Sequence, residues 1–229
     1  MKRRDFAAAL AAIGTGCGAL AQPPAYPSLK PIRLLVGFTP GGAADYVARV
    51  MSEPLARILG QSIVVENRPG AGASIATDLV AKSAADGYTI LLASPGSMVV
   101  NPALNPKLAY TLRDFAPITK VTSSPLVIAA NPASGINSIQ DLIAKAKKNP
   151  GSVNCATAGN GSAPHLGAAL FSQVTGVQMT LVPFRGGAPA IQSVVAGDTH
   201  VTFGTPPSVL PMIQAGRLKG LGITARNSS

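Results

Sequence analysis

Apolar residues recur along this chain in two alternating rhythms. Short runs such as Ile32-Arg33-Leu34-Leu35-Val36-Gly37 and Tyr88-Thr89-Ile90-Leu91-Leu92-Ala93 have the length and bulk of buried strands. Between them, Val47, Val50, Met51, Leu55, Ile58 and Leu59 fall at helical spacing. The same reading predicts further strands over 62–66, 115–121, 126–130, 153–156, 177–183, 200–203 and 218–224. It predicts further helices over 75–84, 139–148, 165–175, 190–196 and 207–215. Ser138 is the expected N-cap of the helix over 139–148, and Asn149-Pro150-Gly151 stops it. Asn101-Pro102 and Asn105-Pro106 mark irregular connection. Strand and helix in alternation imply an α/β fold with parallel sheets covered on both faces.

The strand over 32–37 runs directly into Phe38-Thr39-Pro40-Gly41-Gly42-Ala43-Ala44-Asp45, which opens the first helix. A strand that turns through glycines into a helix gathers unpaired backbone N–H groups in one place. Glycine lets a ligand approach that backbone, and the helix dipole adds roughly half a positive charge there. Such an end suits an anion; it also suits a tight connection with no ligand. Glycine-rich turns recur over 67–74, 94–97, 157–164 and 184–189, each at the carboxyl end of a predicted strand, where open α/β sheets bind ligands. Phe38…Gly41-Gly42-Ala43 is echoed by Phe184…Gly186-Gly187-Ala188. The pattern restarts after Thr122-Ser123-Ser124-Pro125, which is the expected domain crossing. Two lobes with opposed glycine-rich rims follow, over 22–124 and 125–229.

Composition narrows the chemistry. At 229 residues, 47% hydrophobic and 12% charged, the chain has ample material for a core and is no disordered polymer. Its formal charge of +10 favours anions at long range. With no Trp and 4% aromatic residues, it has little on which bases could stack, so nucleic acid is not an expected partner. Lys2-Arg3-Arg4, the apolar run 6–13 and Ala19-Leu20-Ala21 read as a signal peptide over 1–21, cut after Ala21. Arg3-Arg4-Asp5-Phe6 also resembles a twin-arginine signal, leaving Sec and twin-arginine export both open. Cys155 has no partner once Cys17 leaves with that segment, and reads as a small buried hydrophobe.

Catalytic signatures are missing from the sequence. It contains no P-loop, no complete dinucleotide fingerprint and no nucleophile elbow. His165 and His200 lie too far apart for a zinc site, and no cofactor or metal is expected. His165 opens a helix after Gly159-Asn160-Gly161-Ser162, where it either faces a ligand or caps the first turn. Asp45 stands in the first helical turn, where a carboxylate answers the dipole; a contact to a ligand's ammonium is the other reading. Arg185 is the best charged candidate for a carboxylate, because guanidinium pairs with it bidentately; a surface or hinge salt bridge is its alternative.

These loops together resemble the Bug family of extracytoplasmic solute receptors, the TctC-like binding proteins of tripartite tricarboxylate transporters. The resemblance rests on Lys30-Pro31-Ile32-Arg33, on Val36…Phe38…Pro40-Gly41-Gly42…Asp45 and on Val64-Val65-Glu66-Asn67-Arg68-Pro69-Gly70-Ala71-Gly72. It continues through Asp86-Gly87-Tyr88-Thr89, Gly159…Gly161-Ser162…His165-Leu166, Phe184-Arg185-Gly186-Gly187…Pro189-Ala190 and Gly216-Arg217-Leu218.

The resemblance implies a two-lobe, type II periplasmic-binding-protein-like fold. It implies no enzyme but a periplasmic, monomeric receptor that clamps a small carboxylate between its lobes by backbone groups and water. A mono-, di- or tricarboxylate or an acidic amino acid fits, and the membrane subunits of a tripartite transporter or a sensor kinase would be the partner. The first-lobe part of the site would be Phe38, Pro40, Gly41, Gly42, Ala43 and Asp45 with Ser94 and Ser97. The second-lobe part would be Gly159, Gly161, Ser162, His165, Arg185, Gly186, Gly187 and Thr205. Phe184 stands where the family often has Tyr. Family members continue past Gly222-Ile223-Thr224-Ala225-Arg226, so the first lobe is expected to be the less complete and to expose apolar surface. A truncated remnant, and a hydrolase built on Ser162 and His165, are the competing readings.

Overall fold

The computed structural model describes residues 25–225; the signal peptide expected over 1–21 lies outside them. In chain order the elements are β1 (Ile32–Val36), α1 (Ala43–Leu59), β2 (Ile63–Asn67), α2 (Ser74–Ala81), β3 (Thr89–Leu92) and α3 (Asn101–Leu104). There follow β4 (Val127–Ala130), α4 (Ile139–Lys148), β5 (Asn154–Thr157), α5 (Ala163–Thr175), β6 (Thr180–Pro183), α6 (Gly187–Ala196), β7 (Val201–Gly204), α7 (Pro206–Gln214) and β8 (Lys219–Ile223). The strands form two sheets, ordered β2-β1-β3 and β6-β5-β7-β4-β8.

The first sheet is parallel throughout, with Ile32 opposite Ile63 and Arg33 opposite Thr89. β1 takes the centre with Ile32, Leu34 and Val36 buried on one face and Leu35 on the other, where Arg33 pairs with Glu66 of β2. Leu34 and Val36 pack with Ala48 of α1 against Ile63, Val65, Ile90 and Leu92. Val50 and Ile58, part of the predicted helical stripe, stand exposed, since the inward face of α1 is drawn by Asp45 and Ala48 instead.

The second sheet departs from the expected parallel order. β5 runs parallel to β6 and β7, but β4 runs antiparallel to β7 and β8. The cause is the crossing between lobes. β4 enters from the first lobe, so its first residue Val127 lies beside Gly204, at the end of β7 that faces the cleft. β8 returns to that same end, where Leu126 N–H donates to Thr224 Oγ1 at 2.8 Å. Alternation along β4 sends Ile128 and Ala130 to a core with Leu142, Cys155, Ala168 and Phe203. Val127 and Ala129 go to the opposite core, with Ala156, Ile191, Val194 and Val209. Cys155 is fully buried, and burial pushes its thiol up to about 12.

Two local expectations are corrected. Residues 115–121 form no strand. Apolar bulk there finds no partner edge among the described residues, Pro117 removes one ladder donor, and Ile118 remains 80% exposed. The segment expected to be irregular around Asn101 is instead helical, from a wide turn over Gly96–Val100 straight into α3. Pro102 falls in the first turn of α3, where its missing N–H costs nothing.

Candidate functional site

Four helix starts converge where the sheets face each other. A cavity of about 120 Å³ is walled by Phe38, Gly42, Ala43 and Ala44 before α1, Ser94 after β3, Ser162 to Pro164 at α5, Gly187 at α6, and Thr205 and Ser208 at α7. Ala158, Ala190, Ile191, Thr202 and Gly204 complete it. No ionisable side chain stands in this wall.

The four starts differ in what they offer. At α5, Ser162 Oγ accepts the His165 N–H at 3.4 Å and Pro164 has no N–H to give. At α7, Pro206 and Pro207 remove the first two donors. At α1 and α6 the N-caps are Gly42 and Gly186, and neither carries a side-chain cap. The first-turn N–H groups of α1, and those of Gly187 and Ala188 at α6, where Pro189 has none to give, are the orphans that a helix start leaves. These two starts almost touch across the cleft: a Cβ placed on Gly42 would lie 3.6 Å from Gly187 N.

The turn that presents α1 is held from behind. Asp45 is 4% exposed, and its Oδ2 accepts the Gly41 N–H at 3.0 Å and Arg49 Nε at 2.9 Å. Asn67 Nδ2 donates to Asp45 Oδ1 and to Phe38 O, both at 3.0 Å. Burial pushes this carboxyl up, yet the bonds from Arg49, Gly41 and Asn67 outweigh it and hold it below its ordinary range. Its oxygens are occupied inside their own lobe, the arrangement of the capping reading.

The lobes meet through glycine. A Cβ on Gly72 would strike the Asn160 carbonyl, one on Gly96 the Gly161 carbonyl, and one on Gly186 the Thr39 hydroxyl. Thr39 N–H donates across the seam to Arg185 O at 3.3 Å. The first-lobe turns at this seam are braced by Tyr110, whose OH donates to Ser97 O at 2.7 Å and lies 3.0 Å from Ser74 Oγ. Asn101 Nδ2 also reaches Ser74 Oγ, at 2.9 Å.

The expected site residues therefore separate by place. Phe38, Gly42, Ala43, Ser94, Ser162, Gly187 and Thr205 stand in the cavity wall. Gly41 and Asp45 line an outer groove with Tyr46 and Arg49, and Pro40 is exposed. Ser97 is buried beneath Ser94, with its Oγ donating to Ser94 O at 3.2 Å. Gly161 and Gly186 belong to the seam, while Gly159 and Arg185 line a second cavity. His165 lies in none of these walls; its Nδ1 is buried without a partner, and burial holds the imidazole below its ordinary value. Its one link to Ser162 is a backbone cap, not the side-chain pair a hydrolase needs. Sequence reasoning missed Thr202, inside β7, and Ser208, in the first turn of α7; the usable signal for Ser208 was a hydroxyl just after a strand, where the chain enters a helix.

A profile of the tripartite tricarboxylate transporter family receptor matches residues 47–229. The chain belongs to this receptor family. The family is one of solute receptors, not enzymes, and among the described residues no helix is long and apolar enough to cross a membrane. BugT of Bordetella pertussis is 40% identical over 206 residues, 89% of this receptor chain. The chain spans 63% of the length of BugT. A Rhodopseudomonas palustris protein solved with adipate superposes with a TM-score of 0.82 at 32% identity, over 89% of this chain and 68% of that one. MatC from the same organism, solved with malate, gives 0.82 at 31% identity over 87% and 68%.

Proposed function

We propose that this chain is the solute-receiving part of a periplasmic receptor that takes a small carboxylate between lobes at 22–124 and 125–229. The observation that carries the reading is the pair of uncapped helix starts, α1 and α6, facing each other across a cavity with no ionisable side chain. Carboxylate oxygens there would accept N–H groups of Gly42, Ala43, Gly187 and Ala188, with the hydroxyls of Ser94, Ser162, Thr205 and Ser208 beside them. Each such charge-assisted bond is worth about 1.5–3 kcal/mol, and the dipoles of both helices add to it. Phe38, Ala190 and Ile191 would receive the carbon body of the solute. Relatives solved with adipate and malate support the class of ligand. Asp45, Ser97, Gly161 and Gly186 shape the site from behind or close it. Delivery is to the membrane subunits of a tripartite transporter, the partner that membership of the family implies.

Calorimetric titration of the purified chain with a panel of mono- and dicarboxylates is the test. Saturable one-to-one binding of at least one acid, with no turnover, is expected. Heat changes no different from buffer across the whole panel would remove the reading.

A further inference from the structure

The helix-start cavity has a neighbour with different chemistry. Phe38 and Ala158 stand in both walls, and beyond them lies a second cavity of about 180 Å³. Gly37, the turn Gly70 to Ala73, Gly159, Asn160 and the segment Pro183 to Arg185 line it. Where the first cavity has no cation, this one has Arg185.

That arginine is uncommitted. Arg33 and Arg68 pair with Glu66, and Arg49 pairs with Asp45. Arg185 is exposed, and among the described residues no carboxylate lies within ion-pair distance of it. The wall opposite is pre-formed. Ala71 and Ala73 are held at φ of 48° and 74°, a conformation that alanine resists. Asn101 Nδ2 secures them by donating to Ala71 O at 3.3 Å and Gly72 O at 3.2 Å. Strained backbone of this kind clusters at binding sites.

We propose that the second cavity receives the second carboxylate of a dicarboxylate solute, with Arg185 as its counter-charge, so that the solute runs past Phe38 from one cavity to the other. This rests on the reading of the helix-start cavity as the seat of the first carboxylate. A second charge left in the first cavity would be desolvated without compensation. Moved past Phe38 it meets a planar guanidinium, which pairs with carboxylate through two parallel bonds. Arg185 is then the residue that separates diacids from monoacids.

Calorimetric titration of the wild-type chain and of its Arg185→Gln and Arg185→Lys variants tests this, using succinate, glutarate and adipate against butyrate, valerate and hexanoate. The best diacid is expected to bind wild type at least tenfold tighter than the monoacid of the same length. Arg185→Gln abolishes that advantage while leaving monoacid affinity within about twofold, and Arg185→Lys keeps part of it. Diacids no tighter than monoacids in wild type, or an advantage that survives Arg185→Gln, would overturn the proposal and leave the carboxylate site standing. An equal loss for both classes in a variant with an unchanged melting temperature would also overturn it, by placing Arg185 at the first carboxylate. Silence from all six acids would remove both readings together.

Discussion

Asp45 shows how one side chain shapes a binding turn without touching a ligand. Its two oxygens gather Gly41, Arg49 and Asn67, and Asn67 in turn holds the Phe38 carbonyl. In Asp45→Asn one acceptor becomes a donor, set against donors from Arg49 and Gly41 or from Asn67. Leaving such buried groups unsatisfied costs about 1–3 kcal/mol. We expect that loss in urea unfolding, accompanied by weaker carboxylate binding as the Gly41–Gly42 turn loosens. A change within roughly 0.5 kcal/mol, typical of surface positions, would deny Asp45 this part. The sequence placed Asp45 in the first turn of its helix and favoured capping. It could not show that Asn67, from the end of the next strand, supplies the second half of the clamp.

At the level of elements, the contact between lobes is a matter of glycine against carbonyl. Gly96 is the clearest case, because its φ lies outside the left-handed region and it is the Gly161–Ser162 peptide of the other lobe that opposes a side chain there. Gly96→Ala should leave each lobe folded and hold the two apart. Affinity for the bound acid should fall at least tenfold, about 1.4 kcal/mol or more, with little change in melting temperature; small-angle scattering would show a more open chain. Unaltered affinity would mean that this seam does not govern closure. The positions of strands and helices were legible to within a few residues, since periodicity and glycine punctuation are local. The apolar run over 115–121 misled, because a strand also needs an edge to pair with. The helix after Gly96 was hidden by its prolines, which a first turn tolerates.

For the molecule as a whole, stability is expected to fall on the acid side of neutrality. Burial holds His165 below its ordinary 6.5, and burial followed by the nearby Lys145 charge does the same for His200. As pH falls through 6.5 the unfolded chain takes up protons before the folded one does, so stability declines below that point. The carboxylates act lower. Glu66 is held below its ordinary 4.5, first by the hydrogen bond from Arg33, and Asp45 lies below its ordinary 3.8. Their contribution is complete above those values and disappears as pH falls through the folded ones. A plot of melting temperature against pH should therefore decline in two stages. His165→Gln should flatten the upper stage; an identical slope from pH 7 to 5 in that variant would assign the decline to other groups.

The amino-acid sequence by itself determined an α/β chain of glycine-punctuated strand–helix units, and the family that those turns resemble. Local side-chain pattern and backbone freedom suffice for that. Pro164, Pro206 and Pro207 withhold donors and Ser162 caps its own helix, which are local matters. Tertiary structure alone decided which helix starts face each other, bringing Gly42 and Gly187 together from distant parts of the chain. It also decided that Arg185 lines the second cavity and not the first, with Phe38 in both walls. Facing N–H groups and the distance between charges are properties of two surfaces at once, and no single stretch of sequence carries them.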